Sequence, residues 1–211
     1  NVDKLMQAWT VDEFGLRVLQ EELYGGNRIY NGAVHGMAGQ VLPMLQRMAD
    51  LPGDVSERVT RDTREWLLRS ASPGNHGANW APELIAPGTD TSPFESRMIL
   101  QICHGAPGII VCCRNLACDA EVDDVLLRGA ELIWHAGPLQ KGPGLCHGTG
   151  GNGFAFLDAY QQTGEPVWLE RARLFGAHAD AQSKADCLEH GQQRFSLWTG
   201  DPGLAVFLAG C

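Results

Sequence analysis

Two Cys-His-Gly triplets are the residues of this chain best suited to chemistry: Cys103-His104-Gly105 and Cys146-His147-Gly148. Thiolate sulfur and imidazole nitrogen are the ligands that Zn²⁺ prefers in proteins. The triplets lie far apart in the sequence, unlike the compact Cys-X-X-Cys pairs of small zinc domains. This separation predicts a metal ion that is held between two structural repeats.

The glycine of each triplet is the first residue of a Gly-X-X-Gly sequence, which leads into an apolar segment. This pattern, which we call the GxxG turn, occurs four times, at residues 36–39, 105–108, 148–151 and 200–203. Self-similarity at intervals of roughly 45 to 70 residues indicates a repeat architecture. Glycine suits such turns because it permits tight backbone conformations and the close approach of a neighbouring segment.

The segments that follow and separate the GxxG turns alternate in character. Those that follow a turn are apolar nearly all round, which is typical of buried inner helices; they are 36–48, 106–117, 153–160 and 202–209. Those in between are amphipathic, which is typical of outer helices; they are 55–68, 122–135 and 167–181. Because an amphipathic helix covers only one side of its inner partner, neighbouring pairs must stack into a ring.

Two further segments carry local structure signals. Residues 2–23 show an apolar stripe with helical periodicity, which predicts an additional helix. Residues 70–93 are rich in Gly, Pro and Asn and are predicted to be a turn-rich insertion. We expect the residues around Asn79 to form a short hairpin with 98–102. Strong strand alternation is absent elsewhere, so the fold class is predicted to be all-α.

Composition limits the classes of function. The formal net charge of -9 disfavours the cation–phosphate contacts that drive nonspecific nucleic-acid binding. The odd count of seven cysteines and the absence of a visible secretory signal predict free thiols in a reducing compartment. No apolar run approaches the length of a membrane span. We therefore expect a cytoplasmic protein without a transmembrane segment, and leave peripheral attachment of a longer parent protein at the plasma membrane open.

These motifs resemble the lanthionine synthetase C-like family, especially its eukaryotic-type members. The motifs are His35-Gly36-X-X-Gly39, Cys103-His104-Gly105-Ala106-Pro107-Gly108, Lys141-Gly142-X-Gly144-Leu145-Cys146-His147-Gly148, residues 152–157, and Phe195-Ser196-Leu197 followed by Gly200. The resemblance begins at about Tyr30. It implies an α/α toroid of inner and outer helix pairs, with about four of its seven repeats in this chain. We expect residues 1–211 to form one such domain, the C-terminal portion of a longer protein.

The resemblance implies a zinc site with Cys103, Cys146 and His147 as ligands and one ion per chain. Three protein ligands leave the fourth tetrahedral position open, as in catalytic zinc sites. Zinc favours the deprotonated form of an incoming thiol, whose free pKa is about 8.5. His104 is not expected to be a fourth ligand, because adjacent residues at the start of a helix point in different directions.

The resemblance also implies catalytic roles for His35 and Lys141. His35 would take a proton from the thiol or give one to the enolate that follows attack. Lys141, five residues before Cys146, would bind a phosphate during its elimination from phosphoserine or phosphothreonine. From the residues alone, a helix-capping role for His35 and a solvated position for Lys141 stay open as alternatives.

The predicted reaction is zinc-dependent addition of a thiol to dehydroalanine or dehydrobutyrine in a peptide or protein, which forms a thioether. In bacterial members the thiol is a Cys of the same peptide, whereas the eukaryotic-type motifs imply glutathione. One alternative is a noncatalytic zinc-containing scaffold that binds glutathione or a signalling partner. Another is a toroidal glycosidase, which would need a pair of carboxylates that the motifs do not provide.

Overall fold

The structure is a computed structural model that describes residues 4, 7–12, 15–23, 26–74, 76–84, 99–116 and 119–211. Its α-helices are α1 (Met37–Gln46), α2 (Gly53–Ser70), α3 (Ala106–Cys113), α4 (Ala120–Ala136), α5 (Thr149–Thr163), α6 (Pro166–His190) and α7 (Asp201–Gly210). A short 3-10 helix spans Met48–Asp50. Three antiparallel strand pairs are β1 (Thr10–Val11) with β2 (Arg17–Val18), β3 (Glu21–Leu23) with β4 (Gly26–Arg28), and β5 (Ala71–Gly74) with β6 (Gly77–Trp80). The prediction of an all-α fold class is confirmed.

The helices form two layers, as the alternating sequence pattern predicts. The inner helices α1, α3, α5 and α7 each begin at a GxxG turn, and each packs against the next in chain order. The outer helices α2, α4 and α6 cover α1, α3 and α5 respectively. All residues of α3 except Val111 are buried, as expected of a helix enclosed on every side. The arrangement is part of an α/α toroid. Across the described residues, no helix combines the length and the apolar character needed to cross a membrane.

The core lies between the two layers and is richest around Phe156 of α5. Its ring centroid lies 4.9 Å from that of Phe175 and 6.3 Å from those of Trp168 and Trp134. The Arg171 guanidinium lies 4.7 Å from the Trp168 ring centroid and 5.0 Å from that of Trp134. These contacts join α4, α5 and α6, and aromatic pairs of this kind add to the stabilisation from burial alone.

The GxxG turns cap the inner helices with backbone groups. In α1 the N–H groups of residues 37–39 donate to carbonyl oxygens seven positions earlier in the chain, and those of residues 149–151 do the same in α5. In α7 the N–H of Asp201 donates to the carbonyl oxygen of Arg194, again seven positions earlier. These bonds satisfy N–H groups that the start of a helix leaves without an intrahelical partner. The repeated glycine pattern therefore marks a repeated backbone structure.

The prediction of a helix over residues 2–23 is wrong for most of its described part. Residues 10–11 pair with 17–18, and 21–23 pair with 26–28, as short antiparallel ladders; residues 2, 3, 5, 6, 13 and 14 lie outside the described residues. The first reversal is set by Asp12, whose carboxylate accepts a hydrogen bond from Leu16 N at 2.7 Å, and by Gly15 at a φ of 78°. Local turn chemistry of this kind overrides the helical periodicity.

The hairpin expected around Asn79 forms with a different partner. Strand β6, which contains Asn79, pairs with β5 in a register that places Ala71 opposite Trp80. Residue 98 of the expected partner lies outside the described residues. The glycines at both sides of the turn, Gly74 and Gly77, make the nearer partner favourable because the connection is short.

An ion pair between an exposed arginine and a buried aspartate connects the end of α3 with α5. Arg114, which directly follows α3, pairs with Asp158, a residue only 2% exposed. Burial raises the pKa of Asp158 to about 6, although the hydrogen bond and charge of Arg114 act in the opposite direction. The second carboxylate oxygen of Asp158 is buried and has no hydrogen-bond partner among the described residues.

We expect this carboxylate to make the free energy of unfolding depend on pH. Its pKa of about 6 in the folded protein exceeds the ordinary value of 3.8, so the folded state binds more protons between these values. Stability should therefore fall as pH rises from about 4 to about 6, by about 2–3 kcal/mol, and this contribution should be constant above that window. Asp158→Asn cannot ionise and should gain stability relative to the parent across the same range. Urea unfolding at several pH values measures this, with exposed Asp124→Asn as the control. A constant difference between Asp158→Asn and the parent at every pH would contradict the prediction.

Candidate metal centre and the adjoining cavity

The side chains of Cys103, Cys146 and His147 converge at the N-terminal ends of α3 and α5. Their ligand atoms, two Sγ atoms and one ring nitrogen, all lie within 4.8 Å of one another. Cys146 Sγ and His147 Nε2 are 3.7 Å apart. Across the part of the chain that the structure describes, this is the one group of three or more His, Cys, Asp or Glu residues so arranged.

The donor set of this group fits a zinc ion. At Zn–S and Zn–N distances of about 2.3 and 2.0 Å, two ligand atoms of a tetrahedral site lie about 3.6 Å apart. The separation of 3.7 Å between Cys146 Sγ and His147 Nε2 matches this value. Two thiolates would neutralise the divalent charge, and a neutral imidazole adds none. With three protein ligands, one coordination position stays open for a substrate atom.

Cys103 lies in a short loop that Asn79 of β6 holds at both ends. The side-chain amide of Asn79 donates to the carbonyl oxygen of Ile99 at 3.3 Å and accepts from the N–H of Ala106 at 2.8 Å. The second bond caps α3, so a side chain does here what backbone carbonyls do at the other inner helices. The loop that presents Cys103 is therefore shaped by a residue from the β5–β6 hairpin.

Further contacts within the loop orient the Cys103 side chain. Gln101 N donates to the carbonyl oxygen of His104 at 3.0 Å, which closes a tight turn around the cysteine. The Cys103 thiol donates to Gln101 Oε1 at 3.5 Å. Gly105 ends the loop at a φ of 103°, a conformation that other residues rarely adopt. Glycine at position 105 is thus a backbone requirement.

Cys146 and His147 lie in the turn before α5, packed against the segment that precedes α7. Cys146 N donates to the carbonyl oxygen of Trp198 at 2.8 Å. A Cβ atom at Gly144 would lie 2.6 Å from the carbonyl carbon of Thr199, so only glycine permits this contact. Cys103 is 8% exposed, whereas Cys146 is half-buried and His147 is exposed. The centre is therefore open to solvent on its Cys146–His147 side.

Burial raises the pKa of both thiols. The pKa of Cys146 rises to about 11, mainly through burial and further through the neighbouring Cys103. Burial also raises the pKa of Cys103, while its hydrogen bond with Cys146 and the positive charge of Lys141 act in the opposite direction. Because the thiolate is the metal ligand, a bound divalent ion would displace both protons.

A cavity of about 400 Å³ opens beside His147. It is lined by Lys141, Gly144, His147, Gly148, Arg194 and Thr199. The cavity thus brings two cationic side chains to the exposed face of the centre. Lys141 lies in this lining, next to the turn that carries Cys146 and His147. The cavity is suited to a small anionic ligand. Lys141 offers a compact ammonium charge, and Arg194 offers a planar guanidinium that can donate two parallel hydrogen bonds.

Arg194 is the charged residue of the cavity lining that the motifs did not predict. The Arg194 guanidinium donates to the carbonyl oxygen of Thr199 at 3.4 Å. The backbone N–H of Arg194 donates to Asp201 Oδ2 at 2.9 Å. A usable signal is that Arg194 lies in the segment just before the helix-starting Gly200, as Lys141 lies in the segment just before Gly148. Both cations precede the start of an inner helix, and both line this cavity.

His35 lies beside the Cys103 loop. Its ring centroid is 6.4 Å from that of His104, the residue that follows Cys103. Gly32 allows this approach, since a Cβ atom there would lie 2.1 Å from the Cys103 carbonyl oxygen and 2.7 Å from His104 Nδ1. His35 is not one of the described residues that line the 400 Å³ cavity. The structure therefore places His35 on the Cys103 side of the centre and Lys141 on the His147 side.

His104 does not belong to the group of converging ligands. Its ring packs near His35 and Tyr30, with centroid distances of 6.4 Å to both. Burial lowers the pKa of His104, and the nearby charges of His35 and His147 lower it further. Its Nδ1 is buried and has no hydrogen-bond partner among the described residues. A neutral ring in this position fills the space between the first two GxxG turns.

Comparison with known proteins places the chain among its relatives. Residues 15–209 match the family model described as lanthionine synthetase C-like protein. The chain is 32% identical over 187 residues to "Glutathione S-transferase LANCL1" of Danio rerio, covering 85% of this chain and 42% of that protein. It is 27% identical over 161 residues to "LanC-like protein GCL1" of Arabidopsis thaliana, covering 74% of this chain and 33% of that protein. The chain therefore spans less than half the length of these relatives. Because the family model matches nearly all of it, the chain belongs to the lanthionine synthetase C-like family.

Proposed function

We propose that this protein catalyses the zinc-dependent addition of glutathione to dehydroalanine or dehydrobutyrine residues of peptides or proteins, which forms a thioether. The observation that carries the proposal is the convergence of Cys103, Cys146 and His147 beside a cavity that contains Lys141 and Arg194. The name of the Danio rerio relative, a glutathione S-transferase, supports glutathione as the thiol donor.

Cys103, Cys146 and His147 would hold one zinc ion. When bound, zinc supplies a Lewis acid that keeps a coordinating thiol deprotonated at neutral pH. The exposure of Cys146 and His147 leaves access for the substrate sulfur from the side of the cavity. Cys103, by contrast, is only 8% exposed, so access from its side is narrower.

Lys141 and Arg194 would bind the anionic groups of the substrates. Glutathione carries two carboxylates, and a Lys and an Arg on one cavity wall match such groups. The same cations would hold the phosphate that leaves when a dehydroamino acid forms from phosphoserine or phosphothreonine. Their local field would attract anions even though the formal net charge of the chain is -9.

His35 would move the proton that completes the addition. Attack of the thiolate on the β-carbon forms the carbon–sulfur bond and shifts the π electrons onto the amide oxygen as an enolate. Delivery of one proton to the α-carbon then gives the thioether, so the thiol proton is conserved in the product. A histidine beside the Cys103 loop is suited to this transfer because an imidazole can both accept and donate a proton.

We place this activity in the cytoplasm. The six described cysteines, among them Cys103 and Cys146, are free thiols. A reducing compartment keeps such thiols available for a metal ion and also supplies glutathione. Peptides or proteins with dehydroamino acids are the proposed acceptor substrates.

The direct test is incubation of the purified protein with glutathione and a dehydroalanine peptide. We expect the peptide mass to increase by one glutathione, the reaction to stop after chelation, and zinc to restore it. A protein that binds zinc and glutathione but leaves the peptide unchanged would be the noncatalytic scaffold instead. Turnover that survives complete removal of zinc would overturn the metal-dependent mechanism.

Replacing Lys141 with Met should weaken the binding of glutathione. A hydrogen bond to a charged group contributes about 1.5–3 kcal/mol, so we expect KM for glutathione to rise about tenfold or more while kcat changes little. Steady-state kinetics with varied glutathione measure this effect. Lys184→Met on α6 removes the same charge from a site outside the cavity lining and serves as the control. Equal KM values for the two variants would contradict the proposed role.

A further inference from the structure

We infer that Asn152 is a positioning residue that sets the distance between the two halves of the metal centre. Cys103 belongs to the loop before α3, whereas Cys146 and His147 belong to the turn before α5. Nothing in the chain connectivity fixes these segments relative to each other near the ligands, so direct contacts must do so. The inference rests on the proposed function, since it assumes that these three residues hold a metal ion.

A hydrogen bond of Asn152 joins the two ligand-bearing segments. Asn152 lies in the first turn of α5, directly behind the Cys146–His147 turn, and is 1% exposed. Its Nδ2 donates to the carbonyl oxygen of Leu100 at 3.0 Å, three residues before Cys103. The helix that carries one half of the centre therefore holds the backbone of the other half through a directional bond.

Gly151 brings the same segments into van der Waals contact. A Cβ atom there would lie 1.8 Å from the Leu145 carbonyl oxygen and 2.8 Å from Ile102 Cγ1. Both contacted residues are immediate neighbours of proposed ligands. The glycine contact permits a close approach but does not select one position along the loop, whereas the Asn152 hydrogen bond does.

Two other buried asparagines in the described residues have different roles. Asn79 binds Ile99 and Ala106, which both belong to the Cys103 loop, so it shapes that loop without reaching Cys146. Asn31, also 1% exposed, donates to the Ala81 carbonyl oxygen at 2.9 Å and accepts from Trp66 Nε1. Of these amides, Asn152 is the one whose bond spans the two halves.

The second polar atom of Asn152 supports a role beyond packing. Its Oδ1 is buried and has no hydrogen-bond partner among the described residues. A buried acceptor of this kind lowers stability, and an apolar side chain of similar shape would avoid that cost. Local costs of this type are expected at residues that serve a site. The role of the Asn152 amide is therefore to form the Leu100 hydrogen bond, which maintains the ligand geometry.

Zinc affinity is the measurement that tests this role, by competition with a chromogenic chelator. Asn152→Leu keeps a branched side chain and removes the donor, and Asn152→Ala removes the side chain. We expect both to weaken zinc binding about tenfold or more, because hydrogen-bond partners that orient metal ligands have effects of this size. With Co²⁺ in place of zinc, the thiolate charge-transfer and d–d bands should shift or weaken. Asn31→Ala should lower the melting temperature while its zinc affinity stays within about threefold of the parent.

Zinc affinity within about threefold of the parent in both Asn152 variants would make Asn152 a structural residue only and overturn the inference. If Asn152→Ala does not fold, Asn152→Leu alone tests the inference, because leucine fills the space of the asparagine side chain. A parent protein that binds no zinc would instead overturn the proposed function. The failures of the two proposals are therefore distinguishable in one titration series.

Discussion

Replacing Cys146 with Ala is expected to reduce the zinc content from about one ion per chain to almost none, and to abolish thiol addition. The variant retains only Cys103 and His147 of the converging group, and two ligands do not complete a stable zinc site. Metal content by mass spectrometry on the folded parent and variant measures the first effect. The glutathione addition assay measures the second.

Cys187→Ala is the matched control for this experiment. Cys187 is a half-buried free thiol on α6 that lies outside the converging group, so its loss should leave the zinc content unchanged. Equal zinc content in the parent and Cys146→Ala would show that the ion binds elsewhere. A folded parent without zinc would remove the basis of thiol activation altogether.

Replacing His35 with Asn should lower kcat by about 10²–10⁴-fold while the zinc content stays at the parent level. The reason is that His35 lies beside the Cys103 loop but outside the ligand group, so its loss removes a proton donor without removing a ligand. Rates at saturating glutathione measure the effect, and His178→Asn on the exposed side of α6 serves as the control.

The stereochemistry of the product provides a sharper readout. A positioned donor delivers its proton to one face of the enolate, whereas solvent delivers it to both. The residual product of His35→Asn should therefore be a mixture of epimers at the α-carbon, in contrast to the parent. A single epimer at an unchanged rate would contradict the assignment, and loss of zinc together with activity would show that His35 supports the Cys103 loop instead.

The helices could be predicted from the sequence because the buried face of each helix requires apolar residues at regular positions. The apolar segment after Gly105 becomes α3, and the amphipathic segment 122–135 becomes α4 with limits of Ala120–Ala136. The segment 2–23 was mispredicted because its periodicity is also compatible with short paired strands. Which state forms there is decided by a few turn-forming groups, such as the Asp12 carboxylate, and by tertiary contacts that a single segment does not reveal.

The candidate site was predictable where a residue's chemistry is unusual. The two Cys-His pairs beside glycine turns predict a metal site, and the ligand atoms of Cys103, Cys146 and His147 lie within 4.8 Å of one another; their binding of an ion stays a prediction. Arg194 and Asn152 were not predictable in this way, because arginine and asparagine serve many purposes. Their roles depend on which distant segments meet, namely the turn before α5 with the segment before α7, and α5 with the Cys103 loop.

The shared backbone of the GxxG turns has a consequence for how chemistry evolves on this fold. At α1, α5 and α7 the helix start is capped by main-chain carbonyls, so this capping does not use the side chains of the two residues that precede the first glycine. Two turns carry Cys-His there, whereas the other two carry Val34-His35 and Trp198-Thr199. Replacing Cys146 or His147 would therefore remove a proposed metal ligand and leave the backbone capping of α5 in place. Toroids of the same shape can therefore differ completely in reactivity, and assignments made by shape alone should be checked at these dipeptides.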